Sequence, residues 1–286
     1  MISVKKPIKS VARHMLSEQS YNDLAVLCLK LRQDLNEPKV IEHVLRDVQE
    51  ARINRVITQF SQKTKDFFFI QVGSCDGKTG DPIYEFVNKF GWRGILVEPV
   101  KYLFEKLLIT YEDNKSLHFE NIAIAGETGL KKIYRLSSMT QAGSVPWFER
   151  ISSFDERHLL RQLDAIRNYL PRANIIAEDV WCRPFSYLLD KYEVQEIDLL
   201  HIDTEGYDFE IIKMVPFDRV KPRMIFYESE HLSSTDKLSC ERMLAATGYK
   251  LIRAKDTFAY LPLSHNKGKS GGLSSSPQIE GPHELE

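Results

Sequence analysis

The chain has 286 residues, 43% of them hydrophobic, which is enough for one large domain or one domain with appendages around a buried core. Lysine and arginine number 39 against 40 aspartate and glutamate, for a formal net charge of −1, so overall charge gives no case for nucleic acid as the main partner. Four widely separated cysteines, Cys28, Cys75, Cys182 and Cys240, contain no C-x-x-C pair, which excludes the usual spacing of a structural zinc or a redox dithiol. Free thiols, no run of about 18 apolar residues and no apolar N-terminal stretch set the expectation of a cytoplasmic protein.

Residues 1–62 read as a helical extension. The first 14 residues form a basic arm with Lys5, Lys6, Lys9 and Arg13. Apolar residues then recur at helical spacing from about Leu16 to Leu35 and from about Glu37 to Phe60, with Asn36 as the N-cap of the second helix. Both helices are expected to pack on the edge of the following domain and are where a homo-oligomer would assemble.

Residues 63–263 change texture. "FFFIQVG" (67–73), "GILVEP" (94–99), "LHFENIAIAG" (117–126), "IDLLHIDTEG" (197–206), "RMIFYESEH" (223–231), "YKLIRAK" (249–255) and "TFAYLPL" (257–263) read as strands. Helical stretches separate the early ones: "DPIYEFVNKFG" (81–91), with Pro82 in its first turn, and "YLFEKLLITYE" (102–112). This alternation predicts an α/β fold, a mostly parallel sheet with helices on both faces. The last two strands follow too closely for a crossover helix and are expected to form an antiparallel hairpin. Residues 136–192 interrupt the rhythm as a lid or substrate insertion with one helix around Asp155–Tyr169. Residues 264–286, rich in Ser, Gly and Pro, are expected to be disordered.

The first strand ends in "VGSCDG". In an open parallel sheet ligands bind beyond the carboxyl ends of the strands, and the first turn is expected to offer free backbone N–H groups, with Gly73 and Gly77 permitting close approach. Glu98 closes the next strand 25 residues after Gly73, where a carboxylate accepts hydrogen bonds from both hydroxyls of a ribose. A dinucleotide loop needs G-x-G-x-x-G, and a Walker A loop needs a glycine where Val72 stands, so neither phosphate-binding pattern is present. What remains is a ribose cofactor with no phosphate to cradle, of which S-adenosylmethionine is the commonest, with Asp76 facing its ammonium or sulfonium side.

"FIQVGSCDGKTGDPIYEFVNKFGWRGILVEPV", "FENIAIAG", "IDLLHIDTEGYDFEIIK" and "DTFAYLPL", in that order, resemble the FkbM family of S-adenosylmethionine-dependent methyltransferases over about Phe67 to Leu263. The resemblance implies the class I methyltransferase (Rossmann-like) fold: a seven-stranded sheet of order 3-2-1-4-5-7-6 with strand 7 antiparallel. It also implies methylation of a hydroxyl on a sugar, glycan or secondary metabolite. By position it implies that Gly73, Ser74, Asp76 and Gly77, with Gln71 beside them, surround the methionine part. Glu98 and Pro99 would hold the ribose, Asn121 and Ala123 the adenine rim, and Asp203 would close the site. Cys75 stands where the family often has asparagine.

Transfer to a hydroxyl requires loss of its proton, so an acid or histidine is expected near the transferred methyl group. Asp203 and Glu205, and Glu228, Glu230 and His231, end the two adjacent central strands and are the candidates. His201, inside an apolar strand, reads as a core histidine. Trp147, Phe148 and Phe154 are available either for lid packing or for stacking on a sugar. Asp203 with Glu228 or Glu230 also looks like the start of an oxygen-ligand site for magnesium. Two further readings stay open: a non-catalytic scaffold on the same fold, and a nicotinamide-dependent oxidoreductase.

Overall fold

A computed structural model describes residues 38–137, 147–168 and 173–263. The basic arm, the first predicted helix, the Asn36 cap and the tail lie outside the described residues. In chain order the domain begins with α1 (Pro38–Lys63), β1 (Phe68–Val72), α2 (Tyr84–Phe90), β2 (Arg93–Val97), α3 (Lys101–Thr110), β3 (Leu117–Glu120) and β4 (Ala123–Ile124). There follow β5 (Gly129–Ser137), β6 (Ser152–Ser153), α4 (Glu156–Ile166), β7 (Asn174–Arg183) and α5 (Phe185–Lys191). The chain closes with β8 (Leu199–Ile202), α6 (Asp208–Met214), β9 (Met224–Tyr227), α7 (Ser234–Ala246), β10 (Lys250–Arg253) and β11 (Thr257–Tyr260).

The main sheet has the order β3-β2-β1-β8-β9-β11-β10, with β11 antiparallel to both β9 and β10 and the other pairings parallel. Counted within this sheet that is 3-2-1-4-5-7-6, the predicted topology, including the terminal hairpin. Alternate residues of a strand face opposite layers. Ile70 and Val72 of β1 therefore meet Leu200, Ile202, Phe185 and Ile211 on one face, while Phe69 meets Trp92, Leu96 and Leu199 on the other. On the second face α1 adds Ile53, Ile57 and Phe60 to the cluster, and the strand it lies against is β10 at the edge of the sheet.

Three local expectations are corrected. "LHFENIAIAG" is not one strand: it breaks after Glu120, and β4 belongs to a second, four-stranded sheet of order β4-β7-β5-β6. The break lies where the Asn121 amide turns aside to donate to the carbonyls of Glu98 (2.8 Å) and Pro99 (3.0 Å). Second, the interruption is built on a long β5–β7 hairpin, registered from Gly129–Cys182 to Ser137–Asn174. Finally, Pro82 precedes α2 instead of sitting in its first turn, because Asp81 Oδ1 accepts the Ile83 N–H at 2.8 Å and turns the chain before Tyr84.

Candidate functional site

A cavity of about 630 Å3 opens beyond the carboxyl ends of β1, β2, β8 and β9, where the connections of an open α/β sheet diverge. Gln71, Gly73, Ser74, Asp76, Glu98, Pro99, Ala123, Asp203, Glu205, Glu228 and His231 all line it. Gly77 and Asn121 do not. At Gly77 a Cβ would stand 2.5 Å from Leu107 Cδ1, so this glycine (φ +73°) lets the loop lie on α3 and not against a ligand. Asn121 is the brace already described.

The expectation of free N–H groups in the first turn is also corrected. Gly73 and Ser74 N–H both donate to the Val97 carbonyl at 3.0 Å, Cys75 N–H to Glu98 Oε2 at 2.8 Å, and Gly77 N–H to the Ser74 carbonyl at 2.8 Å. Asp76 Oδ1 accepts from Lys78 N–H (3.1 Å) and Thr79 N–H (2.8 Å), and its Oδ2 from the Thr79 hydroxyl (2.6 Å). Burial works against ionisation of Asp76, yet these bonds hold its carboxyl below the usual range. The N–H groups of residues 73–75 and 77–79 are thus all bonded to protein and form no nest for an anion.

Glu98 lies at the bottom of the cavity, 3% exposed, accepting from Cys75 N–H and, at 2.8 Å, from Val100 N–H. Burial pushes its carboxyl up to about 7, against those two bonds. Each oxygen keeps a further lone pair for a ligand hydroxyl. Burial together with the charges of Glu98 and Asp76 pushes the neighbouring Cys75 thiol up.

Across the cavity the ends of β8 and β9 carry the acids. Glu205 adopts a left-handed conformation (φ +53°), unusual for a side-chain-bearing residue and often a mark of a constrained site. Its Oε2 lies 3.2 Å from His231 Nε2, and His231 Nε2 lies 3.4 Å from Glu228 Oε1. Asp203 is open to the cavity yet deep in the fold; that depth, and the charges of Glu205 and Asp208, raise its carboxyl well above the ordinary range. Glu228 is raised likewise, by burial and then by Asp203 and Glu205. Glu230 stands apart, half-exposed and 3.4 Å from Lys255 Nζ, so the predicted Asp203–Glu230 pairing does not form. Asp203, Glu205 and Glu228 do approach one another. His201 is buried, its ring 5.3 Å from Phe226, and burial lowers it to about 3, which keeps it neutral in the floor.

Sequence reasoning missed three residues. Asp208, fully buried, accepts the Thr204 hydroxyl at 2.8 Å with one oxygen and the Glu228 N–H at 3.0 Å with the other, locking the ends of β8 and β9 together. Its place in the first turn of α6 conceals this. His158 of α4 brings Nε2 within 3.6 Å of Glu205 Oε2. Arg150 donates to the Thr79 carbonyl, and the Tyr102 hydroxyl donates to the Glu149 carbonyl at 2.7 Å, so the insertion is tied over the first loop. Contacts between segments this distant in sequence leave no local signal. Phe148 packs inside the insertion, whereas Phe154 lines the cavity and meets the Tyr207 ring edge-on at 5.4 Å; the side chain of Trp147 lies outside the described residues.

Facing the cavity are seven carboxyl groups, Asp76, Asp81, Glu98, Asp203, Glu205, Glu228 and Glu230, against the two cations Arg150 and Lys255. Such a lining favours a positively charged ligand. Among the described residues no helix is long and apolar enough to cross a membrane.

Residues 71–251 match the family described as the Methyltransferase FkbM domain. Among solved structures the chain is similar to methyltransferase FkbM from Methylobacillus flagellatus KT, at 12% identity and a TM-score of 0.42, over 89% of this chain and 58% of that one. It is also similar to the N-terminal domain of human METTL16 in complex with SAH (10% identity, TM-score 0.37, 75% and 70%). A third similarity is to the fibrillarin pre-rRNA processing protein of Methanococcus jannaschii (11% identity, TM-score 0.34, 69% and 67%). No protein of curated function matches.

Proposed function

Since the chain belongs to the FkbM methyltransferase family, we propose that it is an S-adenosylmethionine-dependent O-methyltransferase acting on a hydroxyl of a sugar, glycan or secondary metabolite. The observation that carries this reading is the composition of the cavity: a first loop whose N–H groups at residues 73–75 and 77–79 are all bonded to protein, opposite a field of carboxylates. A dinucleotide pyrophosphate needs those N–H groups free. A cofactor that carries a sulfonium and an ammonium needs carboxylates, and Glu98 supplies a paired acceptor for its ribose hydroxyls.

In this reading Gly73, Ser74 and Gln71 flank the methionine part, Glu98 and Pro99 hold the ribose, and Ala123 borders the adenine. When bound, S-adenosylmethionine supplies an electrophilic methyl group: the acceptor oxygen forms a bond to it as the sulfur–carbon bond breaks and its electron pair stays on sulfur. The chain's part is to hold the acceptor oxygen in line and remove its proton, an effect of position that supplies about 7–11 kcal/mol in well-oriented systems. Asp203 and Glu228 are the assigned bases, because their carboxyl groups line the cavity at the ends of adjacent central strands and lie close enough together to share a single proton. Glu205 and His231 bracket the acceptor, and Phe154 offers an apolar face from the insertion.

The test is methyl uptake from isotopically labelled S-adenosylmethionine across a panel of sugars, glycans and hydroxylated metabolites. Labelling of at least one hydroxyl that disappears in Asp203→Asn is the expected result. Labelling only of amines or thiols would overturn the O-methyl assignment.

A further inference from the structure

We infer that His158, Glu205 and His231 form a binding site for a divalent transition-metal ion at the junction of the insertion and the main sheet. The two imidazoles and the carboxylate come from three separated places: α4, the turn after β8 and the loop after β9. Even so, their ligand atoms all lie within 4.8 Å of one another. Ligands held at about 2.1 Å from one ion lie roughly 3.0–3.4 Å apart in octahedral or tetrahedral arrangements. Glu205 Oε2 lies 3.2 Å from His231 Nε2 and 3.6 Å from His158 Nε2, so little movement separates this arrangement from coordination.

A second observation points to a missing ligand. His158 Nε2 and Glu205 Oε2 are buried without a hydrogen-bond partner, and so is Glu228 Oε2 on the far side of His231. His158 is 9% exposed and Glu228 7%. Buried polar atoms are ordinarily paired, and the unpaired His158 Nε2 and Glu205 Oε2, which face each other at 3.6 Å, mark a place for a bound group. The rings of His158 and His231 stand edge-to-face, 5.0 Å apart, and the Nε2 of each lies near the same oxygen of Glu205. The left-handed backbone of Glu205 aims the carboxylate between them.

The donor set chooses the class of ion. Two imidazoles with one carboxylate suit manganese, iron, cobalt or zinc, whereas magnesium and calcium prefer oxygen throughout. This differs from the all-oxygen magnesium site expected from Asp203 with Glu228 or Glu230. Three protein ligands leave coordination positions open toward the cavity, where an acceptor with adjacent oxygens would bind. Because His158 belongs to the insertion, the ion would also fasten that element to the strand ends. Ion binding stands independently of the methyl-transfer reading; only the ion's use in orienting the acceptor rests on it.

The test uses metal-stripped full-length protein titrated with Mn2+ alone, the free ion being followed by its paramagnetic resonance. One ion per chain is expected, with imidazole nitrogen coupling on the bound ion and Mg2+ competing at least about tenfold more weakly. His158→Ala and His231→Ala should each weaken Mn2+ binding about 10- to 100-fold, while S-adenosylhomocysteine affinity, read separately by calorimetry, changes less than about twofold in His158→Ala and reports an intact fold. Absence of stoichiometric Mn2+ binding at 1 mM, or equal affinity in wild type and both variants, would overturn the site. Failure of the wild-type protein to bind S-adenosylhomocysteine would instead remove the methyl-transfer reading and leave the metal result standing.

Discussion

Gly73 sits directly beneath the carbonyl of Asp203: a Cβ built at Gly73 would stand 1.8 Å from that oxygen. The bare backbone after the first strand therefore serves the junction of β1 and β8 before it serves any ligand. Asp203 N–H donates to the Val72 carbonyl at 2.9 Å in the same place.

Gly73→Ala places a methyl group in that contact and also forces an alanine to φ +84°. The expected loss is at least about 3 kcal/mol, from left-handed strain together with a clash against main chain that cannot yield. Urea denaturation measures it. A loss below about 1 kcal/mol would mean that the two strand ends separate easily.

Asp208→Ala removes the acceptor shared by Thr204 and the Glu228 N–H in a fully buried position. Stranding those donors should cost roughly 2–4 kcal/mol and lower methyl transfer more than it lowers cofactor affinity, since Glu228, the proposed base, loses its anchor. Equilibrium unfolding and a separate titration of S-adenosylhomocysteine distinguish the two effects. Equal losses of turnover and affinity would contradict the anchoring role.

Glu98 gives a pH dependence of defined sign. Its carboxyl titrates at about 7 in the folded protein against an ordinary 4.5. Below about pH 4.5 it is protonated in both states; between the two values the folded chain holds the extra proton, so stability falls as pH rises; above about 7 the cost is constant. Wild type should therefore lose roughly 3 kcal/mol relative to Glu98→Gln across that window. Over the same window affinity for S-adenosylhomocysteine should rise, because the ionised carboxylate is the better acceptor for ribose hydroxyls. A Glu98→Gln protein whose stability tracks wild type at every pH would contradict the assignment.

Cys75 lines the cavity, yet its thiol is pushed up by burial and by Glu98 and Asp76. It should react with iodoacetamide at pH 8 at least about a hundredfold more slowly than a free thiol, because the thiolate is the reactive form. Mass spectrometry after timed labelling checks this. Rapid modification of Cys75 would show that its surroundings are electropositive.

The strands of the main sheet were legible because they are short apolar runs bounded by Gly, Pro and Asp, and the residues Gly73, Glu98 and Asp203 because they end such runs. What β5 and β7 do was hidden: "GLKKIYRLS" and "NIIAEDVWCR" carry exposed Lys132 and Asp179 and pair with each other, not with a neighbour in the rhythm. Neither the pattern that singled out Gly77 nor the resemblance that singled out Asn121 shows the contacts these residues make, with Leu107 on α3 and with the Glu98 and Pro99 carbonyls. For the same reason His158 went unnoticed, since helical periodicity says nothing of which loop lies opposite. Chemistry at strand ends can be read along the chain, whereas a partner supplied by another element is visible only in three dimensions.

Calorimetric titration of the folded protein with S-adenosylhomocysteine tests the central claim most directly. The account predicts one site per chain with micromolar affinity, weakened at least about tenfold, or 1.4 kcal/mol, by Glu98→Ala. No heat of binding at 1 mM ligand, from protein whose circular dichroism shows the α/β fold intact, would contradict it.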